Sequence, residues 1–394
     1  MSRTLEEVQA TLQIAKLTED DLHSTVHCLT FSGSVSSGDY CLMELDDILC
    51  KHIEDGKSLV IRGDKDERAI LCSEDKTYEL KIADTSNLLL FVPGCVTPDQ
   101  LTTDNQASPQ LVHAQIWGFS NSYWELKKQR PKLKKLKKLL MENPYDGPVV
   151  SGQEEDLVTE GKYSMGDLLD RIQASKEEIE AQLQIIHAFE IDGCWRVLDF
   201  DYEMKVLGHI TQLVDSESWS FSKVSLSVCL EELGRLEPPE MIEHCLNCYG
   251  RRYQDNGEVF YALNEDSVCR VTAQMLLQNA VKFNLSEFQE VWQQSVPEGM
   301  GTRLDQLTSL ALVDRSSKPE TISLLRVEDL PEDTLERFTH LFTMREKWTE
   351  EDITPYIKDL CGEKQTTGAL LTKYARSSTQ NGVKVFNSRR TVAT

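Results

Sequence analysis

The segment RRYQDNGEVFYAL, residues 251–263, decides how the C-terminal part of this 394-residue chain folds. Strand-forming residues flank Asp255-Asn256-Gly257, a sequence typical of a tight turn between two antiparallel strands. Three runs with helical periodicity precede this hairpin, at 201–214, 225–233 and 238–249. The predicted unit is therefore three helices followed by one hairpin.

The same order of elements recurs along the chain. The other hairpin sequences are FEIDGCWRVLDF (189–200), ALVDRSSKPETISLLRV (311–327) and RSSTQNGVKVFNSRR (376–390). The helical runs before the last two lie at 265–282, 286–295, 302–310, 332–345, 349–360 and 366–376. Turns near 193, 256, 317 and 381 are 61–64 residues apart. This period predicts tandem winged-helix units, with a two-stranded wing in each; an irregular α+β domain with evenly spaced hairpins is the alternative.

Residues 39–93 have the period of strands rather than of helices. Apolar runs separated by turn residues predict an antiparallel meander of five short strands, at 39–45, 58–63, 68–73, 77–83 and 87–93. Five short strands form only part of a barrel, and an isolated sheet of this size leaves two edges unpaired. The region is thus either a small closed barrel or half of one that a partner chain completes. The candidate partner-binding strand is the apolar run Leu88, Leu89, Leu90, Phe91 and Val92.

The predicted fold class is α+β, with an N-terminal small antiparallel β-barrel, completed with partner chains, followed by tandem winged-helix units. The β-barrel is expected at 1–95 and a connecting segment at 96–130. The winged-helix units are expected at 131–199 (interrupted by a loop at 142–162), 200–264, 265–328 and 329–394.

The chain is acidic, with 42 Lys and Arg residues against 65 Asp and Glu residues and a net charge of -23. Such a chain repels phosphate backbones at long range, so nucleic-acid binding depends on local basic patches. The longest strongly apolar run has five residues, whereas a membrane span needs about 20. The N-terminal residues also lack the apolar core of a secretory signal. We expect a protein of the cytosol or nucleus, with reduced thiols.

Two basic patches are present. The first, the basic run, has eight cations and no acid within residues 127–138: Lys127, Lys128, Arg130, Lys132, Lys134, Lys135, Lys137 and Lys138. It is interpreted as a nuclear localisation signal, a phosphate-binding helix or a solvated helix face, with Pro131 at the helix start. The second lies in the last unit, where Lys373 and Arg376 are expected to end the recognition helix. The wing there carries Lys384, Arg389 and Arg390, and these five residues are the candidate DNA contacts.

No catalytic constellation is found, and no cofactor or metal site is predicted. Gly56-Lys57-Ser58 lacks the first glycine of a phosphate loop. Eleven cysteines are scattered, and Cys245-Leu-Asn-Cys248, which follows His244, has no second pair to complete four zinc ligands. We interpret these two thiols as buried and structural, with a metal or redox site as the alternative.

Four long stretches of the chain resemble vertebrate Dcc-type sister chromatid cohesion proteins. They are LVIRGDKDERAILCSEDKTYELKIADTSNLLLFVPG (59–94), RPKLKKLKKLLMENPY (130–145), FDYEMKVLGHITQLVDSESWSF (200–221) and REKWTEEDITPYIKDLCGEKQTTGALLTKYAR (345–376). Members of this family are accessory subunits of the cohesion-specific, replication-factor-C-like clamp loader.

The resemblance implies a non-enzymatic nuclear role that supports sister chromatid cohesion by loading the sliding clamp onto primed or replicating DNA. It implies that the N-terminal barrel joins a small chromosome-transmission-fidelity subunit and the large AAA-type loader subunit, and that this trimer docks on the catalytic part of DNA polymerase epsilon. It also implies that the winged helices bind single- and double-stranded DNA, that contact with the sliding clamp is indirect, and that no membrane is involved. The family is described with three winged helices, whereas the period here gives four. A stand-alone winged-helix transcriptional regulator is the rival interpretation.

Overall fold

The computed structural model describes residues 4–18, 26–33, 35, 40–96, 111–148, 161–362, 365–380 and 382–389. In this part the chain is a mixed α and β protein with thirteen α-helices and six small sheets. Its residues form two compact units. The first comprises the residues up to 128 apart from 61–68 and 74–77, and the second comprises those two loops and the residues from 129 onward. The mixed content predicted from the sequence is confirmed.

The first unit contains two sheets, and neither closes into a barrel in the described residues. Strand β1 (Val26–Phe31) pairs in parallel with β5 (Leu111–Ile116). The second sheet has the order β2-β3-β4-β6, and these strands span Val60–Arg62, Ile70–Cys72, Thr77–Phe91 and Gly118–Lys128. Helices Leu5–Ala15 and Asp47–Glu54 complete the unit, and a small core forms around Leu49, Leu71 and Tyr78.

The predicted meander differs from this sheet in two places. The runs 77–83 and 87–93 are one strand, β4, because β6 pairs with it on both sides of a register shift between Asp84 and Leu89. In the run 39–45 the described residues, 40–45, do not form a strand, and Met43 makes a bridge to Trp124. Part of the predicted connecting segment, 111–128, forms strands β5 and β6. Residues 97–110 lie outside the described residues.

The second unit repeats one order of elements four times. Each copy has a helix, a short extended segment, two or more further helical segments and a hairpin. The first copy has helices Lys134–Leu140, Met165–Arg171 and Lys176–Ile185, and strands β7 (Phe189–Ile191) and β8 (Cys194–Arg196). The second copy has helices Phe200–Ser216, Leu226–Leu233 and Pro239–Tyr249, and strands β9 (Val224–Ser225), β10 (Gly250–Asp255) and β11 (Glu258–Leu263).

The third and fourth copies follow the same order. The third has helices Glu265–Gln278 and Leu285–Ser295, a 3₁₀ turn at Leu304–Leu307, and strands β12 (Phe283–Asn284), β13 (Ala311–Asp314) and β14 (Thr321–Leu324). The fourth has a 3₁₀ turn at Val327–Asp329, helices Thr334–Met344, Glu350–Ile353 and Thr367–Tyr374, and 3₁₀ turns at Thr354–Tyr356 and Lys358–Leu360. Its strands are β15 (Trp348–Thr349), β16 (Ala375–Gln380) and β17 (Val383–Ser388).

In each copy, a short segment precedes the second helix and determines where that helix starts. Its last residue caps that helix through a side-chain oxygen, as Ser225, Asn284 and Thr349 do, which satisfies backbone N–H groups that have no partner in the helix. In three copies the segment also pairs with the second strand of the following hairpin. In the first copy, Tyr163 makes only one bridge to the hairpin, at Trp195.

Several boundaries differ from the predicted ones. The helix expected at 302–310 is one 3₁₀ turn, and the one expected at 349–360 is broken into three short pieces, where Pro355 cannot donate to a helical bond. The helix expected at 366–376 ends at Tyr374. Arg376 is therefore a residue of β16 and does not end a recognition helix.

Three apolar clusters form the core of the second unit. One is in the first copy, one is shared by the second and third copies, and one is in the fourth. Leu136, Leu139 and Leu140, on the helix that the basic run begins, are buried in the first of these clusters. Among the described helices, none combines the length and the apolar character that crossing a bilayer requires.

Candidate nucleic-acid and partner-binding surfaces

The basic run lies in three different local structures. Lys127 and Lys128 end strand β6, Arg130 and Lys132 lie in the link after it, and Lys134 begins the helix Lys134–Leu140. The helix therefore starts three residues after Pro131, where the sequence predicted it to start. The backbone N–H of Lys134 donates a hydrogen bond to Oε1 of Glu332, a residue of the fourth copy, at 3.0 Å.

Arg130 and Lys134 are bonded to backbone carbonyl groups of the fourth copy. Lys134 Nζ donates to the carbonyl oxygens of Val327, at 3.1 Å, and of Leu330. Arg130 donates to the carbonyl oxygens of Glu332, at 3.2 Å, and of Asp359. Burial lowers the pKa of Lys134, and the nearby guanidinium of Arg337 adds to this effect. Both side chains thus hold the first copy against the fourth.

Lys135 and Lys137 form ion pairs with acids that are distant in sequence. Lys135 Nζ lies 3.1 Å from Glu67 Oε1, and Lys137 pairs with Glu328. The four remaining cations of the run are exposed and have no ion pair among the described residues: Lys127, Lys128, Lys132 and Lys138. Four of the eight cations are therefore bonded within the chain, and the other four are available to bind a ligand.

The candidate DNA contacts of the fourth copy lie on the end of one helix and on its hairpin. Lys373 is in the last turn of the helix Thr367–Tyr374, Arg376 is on β16 and Lys384 is on β17. All three are exposed, and none forms an ion pair in the part of the chain that the structure describes. Arg389 Nη1 donates to the carbonyl oxygen of Lys373 at 2.7 Å, which ties the end of the hairpin to the helix. Arg390 lies outside the described residues.

The candidate partner-binding strand is the last part of β4 and the residue after it. Leu89, Leu90 and Phe91 pair with Ser120, Phe119 and Gly118 of β6, so the strand edge toward β6 is already occupied. Leu88 and Leu90, by contrast, keep large exposed side-chain surfaces of 57% and 44%. Val92 follows the end of the strand and is half-buried. At this strand a partner can therefore contact exposed apolar side chains.

Other apolar side chains of the first unit are equally exposed. On β1 and β5 they are Leu29, Phe31 and Leu111, and on β4 Ile82 is 70% exposed. Sequence periodicity missed this surface because β1 and β5 are separated by about eighty residues along the chain and a parallel pair has no local turn signal.

The thiols of Cys245 and Cys248 are free, as are the other nine cysteines. Cys245 is buried, and burial raises the pKa of both thiols, that of Cys248 to about 12. Cys248 Sγ lies 3.5 Å from His244 Nε2. No group of His, Cys, Asp and Glu side chains within the described residues is arranged to hold a metal ion. Thiols with raised pKa values are poor nucleophiles and poor metal ligands at neutral pH.

Comparison with known proteins identifies the family. The family model for sister chromatid cohesion protein Dcc1 matches residues 40–357. The chain belongs to the Dcc1 family. It is 79% identical over 393 residues to "Sister chromatid cohesion protein DCC1" of Danio rerio and 66% identical over 396 residues to the protein of that name in Homo sapiens, and all of each chain is covered. The Saccharomyces cerevisiae protein is 23% identical over 368 residues, which cover 88% of this chain and 94% of that one.

Membership of the Dcc1 family gives the chain a role in sister chromatid cohesion, and the family is not named for a catalytic activity. The residues matched by the Dcc1 family model include the basic run and the exposed end of β4. They stop before Lys373, Arg376, Lys384 and Arg389, although the full-length relatives extend over those positions.

Proposed function

We propose that this chain is a non-catalytic accessory subunit of the cohesion-specific, replication-factor-C-like clamp loader. In this role it helps to load the sliding clamp onto primed or replicating DNA by bridging the loader, the replicative polymerase and DNA. The observation that carries the proposal is the apolar surface of the first unit, where Phe31, Ile82, Leu88 and Leu111 are each more than half exposed. Surfaces of this kind belong to chains that function within a complex.

In this proposal the first unit is the partner-binding part. Its open sheets are half of a barrel that is completed by the small chromosome-transmission-fidelity subunit and by the large AAA-type loader subunit. The resulting trimer docks on the catalytic region of DNA polymerase epsilon, and contact with the sliding clamp is indirect. The supporting observation is physical: a two-stranded parallel sheet such as β1–β5 is rarely stable without cover on both faces.

We further propose that the four copies in the second unit are winged helices, at 131–199, 200–264, 265–328 and 329–394. The order of helix, short strand, helix, helix and hairpin supports this, as does the pairing of β9, β12 and β15 with the hairpin strands β11, β14 and β17. The fourth copy, with Lys373, Arg376 and Lys384 exposed, is the proposed contact for single- and double-stranded DNA. The proposed location is the nucleus, with the basic run as import signal.

A stand-alone transcriptional regulator built from the same winged helices is the second candidate. It would leave the apolar side chains of the first unit exposed to water in the working protein. We therefore favour the subunit of a complex.

Co-purification tests the proposal. The chain is co-expressed with the large loader subunit and the small chromosome-transmission-fidelity subunit, as wild type and as Leu88→Asp/Leu90→Asp. Because both leucines are exposed, we expect the variant chain to fold and to lose its partners. Val281→Asp is the matched control, since Val281 is 94% exposed in the second unit, and it should assemble normally. Normal assembly of the double variant would contradict the proposed surface.

A further inference from the structure

A cleft of about 480 Å³ lies beside the basic run in the second unit. Five cationic side chains and three acidic ones line it, so the wall has an excess of positive charge in a chain whose net charge is -23. The cations are Arg130, Lys134, Lys137, Arg270 and Arg326. A positive concave surface concentrates field lines and attracts anions.

Two carboxylates of the chain itself already face these cations. Glu328 pairs with Lys137. Arg326 has a nearer partner in Asp329, whose two carboxylate oxygens accept from its Nε at 2.6 Å and its Nη2 at 3.0 Å, while Glu328 Oε1 lies 3.9 Å from Arg326 Nε. Glu332 accepts from the backbone N–H of Lys134. We call Glu328 and Glu332 the acidic clasp. Burial would raise the pKa of Glu328, but Lys137 and Arg326 outweigh it and lower the pKa, so that this side chain is ionised at neutral pH.

The ion pair that holds Glu328 of the acidic clasp is weak. Lys137 and Glu328 have side chains that are 36% and 43% exposed, and exposed ion pairs contribute roughly 0–1 kcal/mol. Glu328 lies in the 3₁₀ turn Val327–Asp329, which has no buried residue. An anion of higher charge density can therefore displace the carboxylate without disrupting the core.

We propose that the acidic clasp is autoinhibitory: Glu328 and Glu332 occupy a phosphate-binding surface of the basic run at Lys137 and the backbone N–H of Lys134, and the phosphodiester backbone of a nucleic acid competes with them. Phosphate oxygens accept the same charge-assisted hydrogen bonds from Lys and Arg as carboxylates do. Lys132 and Lys138, which are exposed and have no ion pair in the described residues, extend this surface along the run. The inference rests on the proposed function in taking a nucleic acid as the ligand.

The test measures binding of a random-sequence DNA duplex by the full chain and by Glu328→Gln/Glu332→Gln. Glutamine keeps an acceptor oxygen for Lys134 N and removes the two charges. We expect the affinity to rise about tenfold at roughly 0.1 M salt, and the slope of log affinity against log salt to steepen by between about one and two. Adding Lys137→Gln to the double variant should remove most of that gain.

The matched control is Glu231→Gln/Glu232→Gln, which makes the same charge change at two exposed acids without an ion pair in the described residues. An equal gain in the control pair would overturn the proposal, because net charge alone would then account for it. Unchanged duplex binding in the clasp variant, or no duplex binding by any variant, would overturn it as well. Co-purification with the partner subunits is measured separately. It decides the proposed function and should not respond to the clasp substitutions.

Discussion

Arg337 has no exposed surface, and its charge is tolerated there because each nitrogen of its guanidinium has a hydrogen-bond acceptor. Nη1 and Nη2 donate to the two carboxylate oxygens of Asp359 at 3.0 and 3.1 Å, and Nη1 also donates to Tyr356 O at 2.7 Å. Nε donates to Pro331 O. This one side chain connects the first helix of the fourth copy to its broken helical segment.

We predict that Arg337→Ala lowers the free energy of unfolding by about 3 kcal/mol, because it leaves the buried Tyr356 carbonyl and the partly exposed Asp359 carboxylate without these donors and opens a cavity. Arg337→Lys should recover little, since an ammonium group lacks the planar fork that Asp359 accepts. Chemical denaturation measures both. Arg315→Ala removes an exposed pair with Glu320 and should cost under about 0.5 kcal/mol. A similar cost for the two alanine variants would refute the role assigned to Arg337.

His244 is a second residue whose environment has a measurable consequence. Burial, and then the neighbouring His187, lower the pKa of His244 to about 4. Its ring packs on Phe189 with centroids 4.8 Å apart. Since the folded pKa lies below the unfolded value of about 6.5, folding favours the neutral ring. The contribution of the neutral His244 ring to the free energy of unfolding is complete above about pH 6.5 and is lost as the pH falls toward 4.

We predict that His244→Gln removes this part of the acid sensitivity. Between about pH 7.5 and about pH 4.5, the wild type should lose up to roughly 3 kcal/mol more unfolding free energy than the variant. Urea unfolding at both pH values gives the difference, in which the other titrating groups cancel. Parallel pH profiles for the two proteins would show that His244 stays accessible to protons in the folded state.

At the scale of elements, two glycines differ in what surrounds them. Gly208 is inside the helix Phe200–Ser216, and a Cβ built there meets no atom within 4 Å. Gly118 begins β6, where a Cβ would lie 2.3 Å from the Tyr40 ring. We predict that Gly208→Ala stabilises the second unit by about 0.5–1 kcal/mol. Gly118→Ala must displace Tyr40 and should destabilise the first unit by about 1–3 kcal/mol. Thermal unfolding of the two variants checks the opposite signs, and destabilisation by both would contradict the prediction.

Elements that depend on neighbouring residues were predictable from the sequence. Ser175 and Glu178 form a capping box at the start of the helix Lys176–Ile185. Asp192-Gly193 and Asn256-Gly257 turn their hairpins with positive φ angles, 53° and 75° in the first and 51° and 85° in the second. Each of these signals lies within four residues, where side-chain and backbone preferences act directly.

Elements that depend on distant residues were not predictable in this way. The length of β4 is set by pairing with β6, about forty residues later, and no turn residue marks that relation. The same holds for the basic run. Its charges were plain in the sequence, but the acids that engage Lys135 and Lys137 are Glu67 and Glu328, which lie 68 and 191 residues away. Composition identified the cations, and only the fold shows which of them are already paired.

At the scale of the whole molecule, the charge distribution limits where a polyanion can bind. The net charge of -23 repels phosphates over most of the surface. Besides the basic run, the fourth copy is an exception, since its exposed cations Lys373, Arg376 and Lys384 have no ion pairs in the described residues. Contacts of this kind go mainly to phosphates, so DNA binding should be independent of sequence and should weaken steeply with salt.

We therefore predict that Lys373→Ala/Arg376→Ala/Lys384→Ala weakens both duplex and single-strand binding by the full chain. Each lost phosphate contact should flatten the slope of log affinity against log salt by about one, so the triple variant should lose about three. Arg389 contributes less, because one of its N–H groups is bonded to Lys373 O. The protein should remain folded, since all three substituted side chains are exposed.

A salt titration of binding measures this slope, and Lys162→Ala/Arg235→Ala/Lys282→Ala is the matched control. It removes the same charge from exposed positions in the earlier copies, so its slope should stay near that of the wild type. If the slope of the fourth-copy variant is unchanged instead, the phosphate contacts lie elsewhere. Repeating the titration with Glu328→Gln/Glu332→Gln as the background then separates the two remaining possibilities. A slope that steepens on opening the clasp places the contacts on the basic run, and one that does not places them elsewhere on this chain.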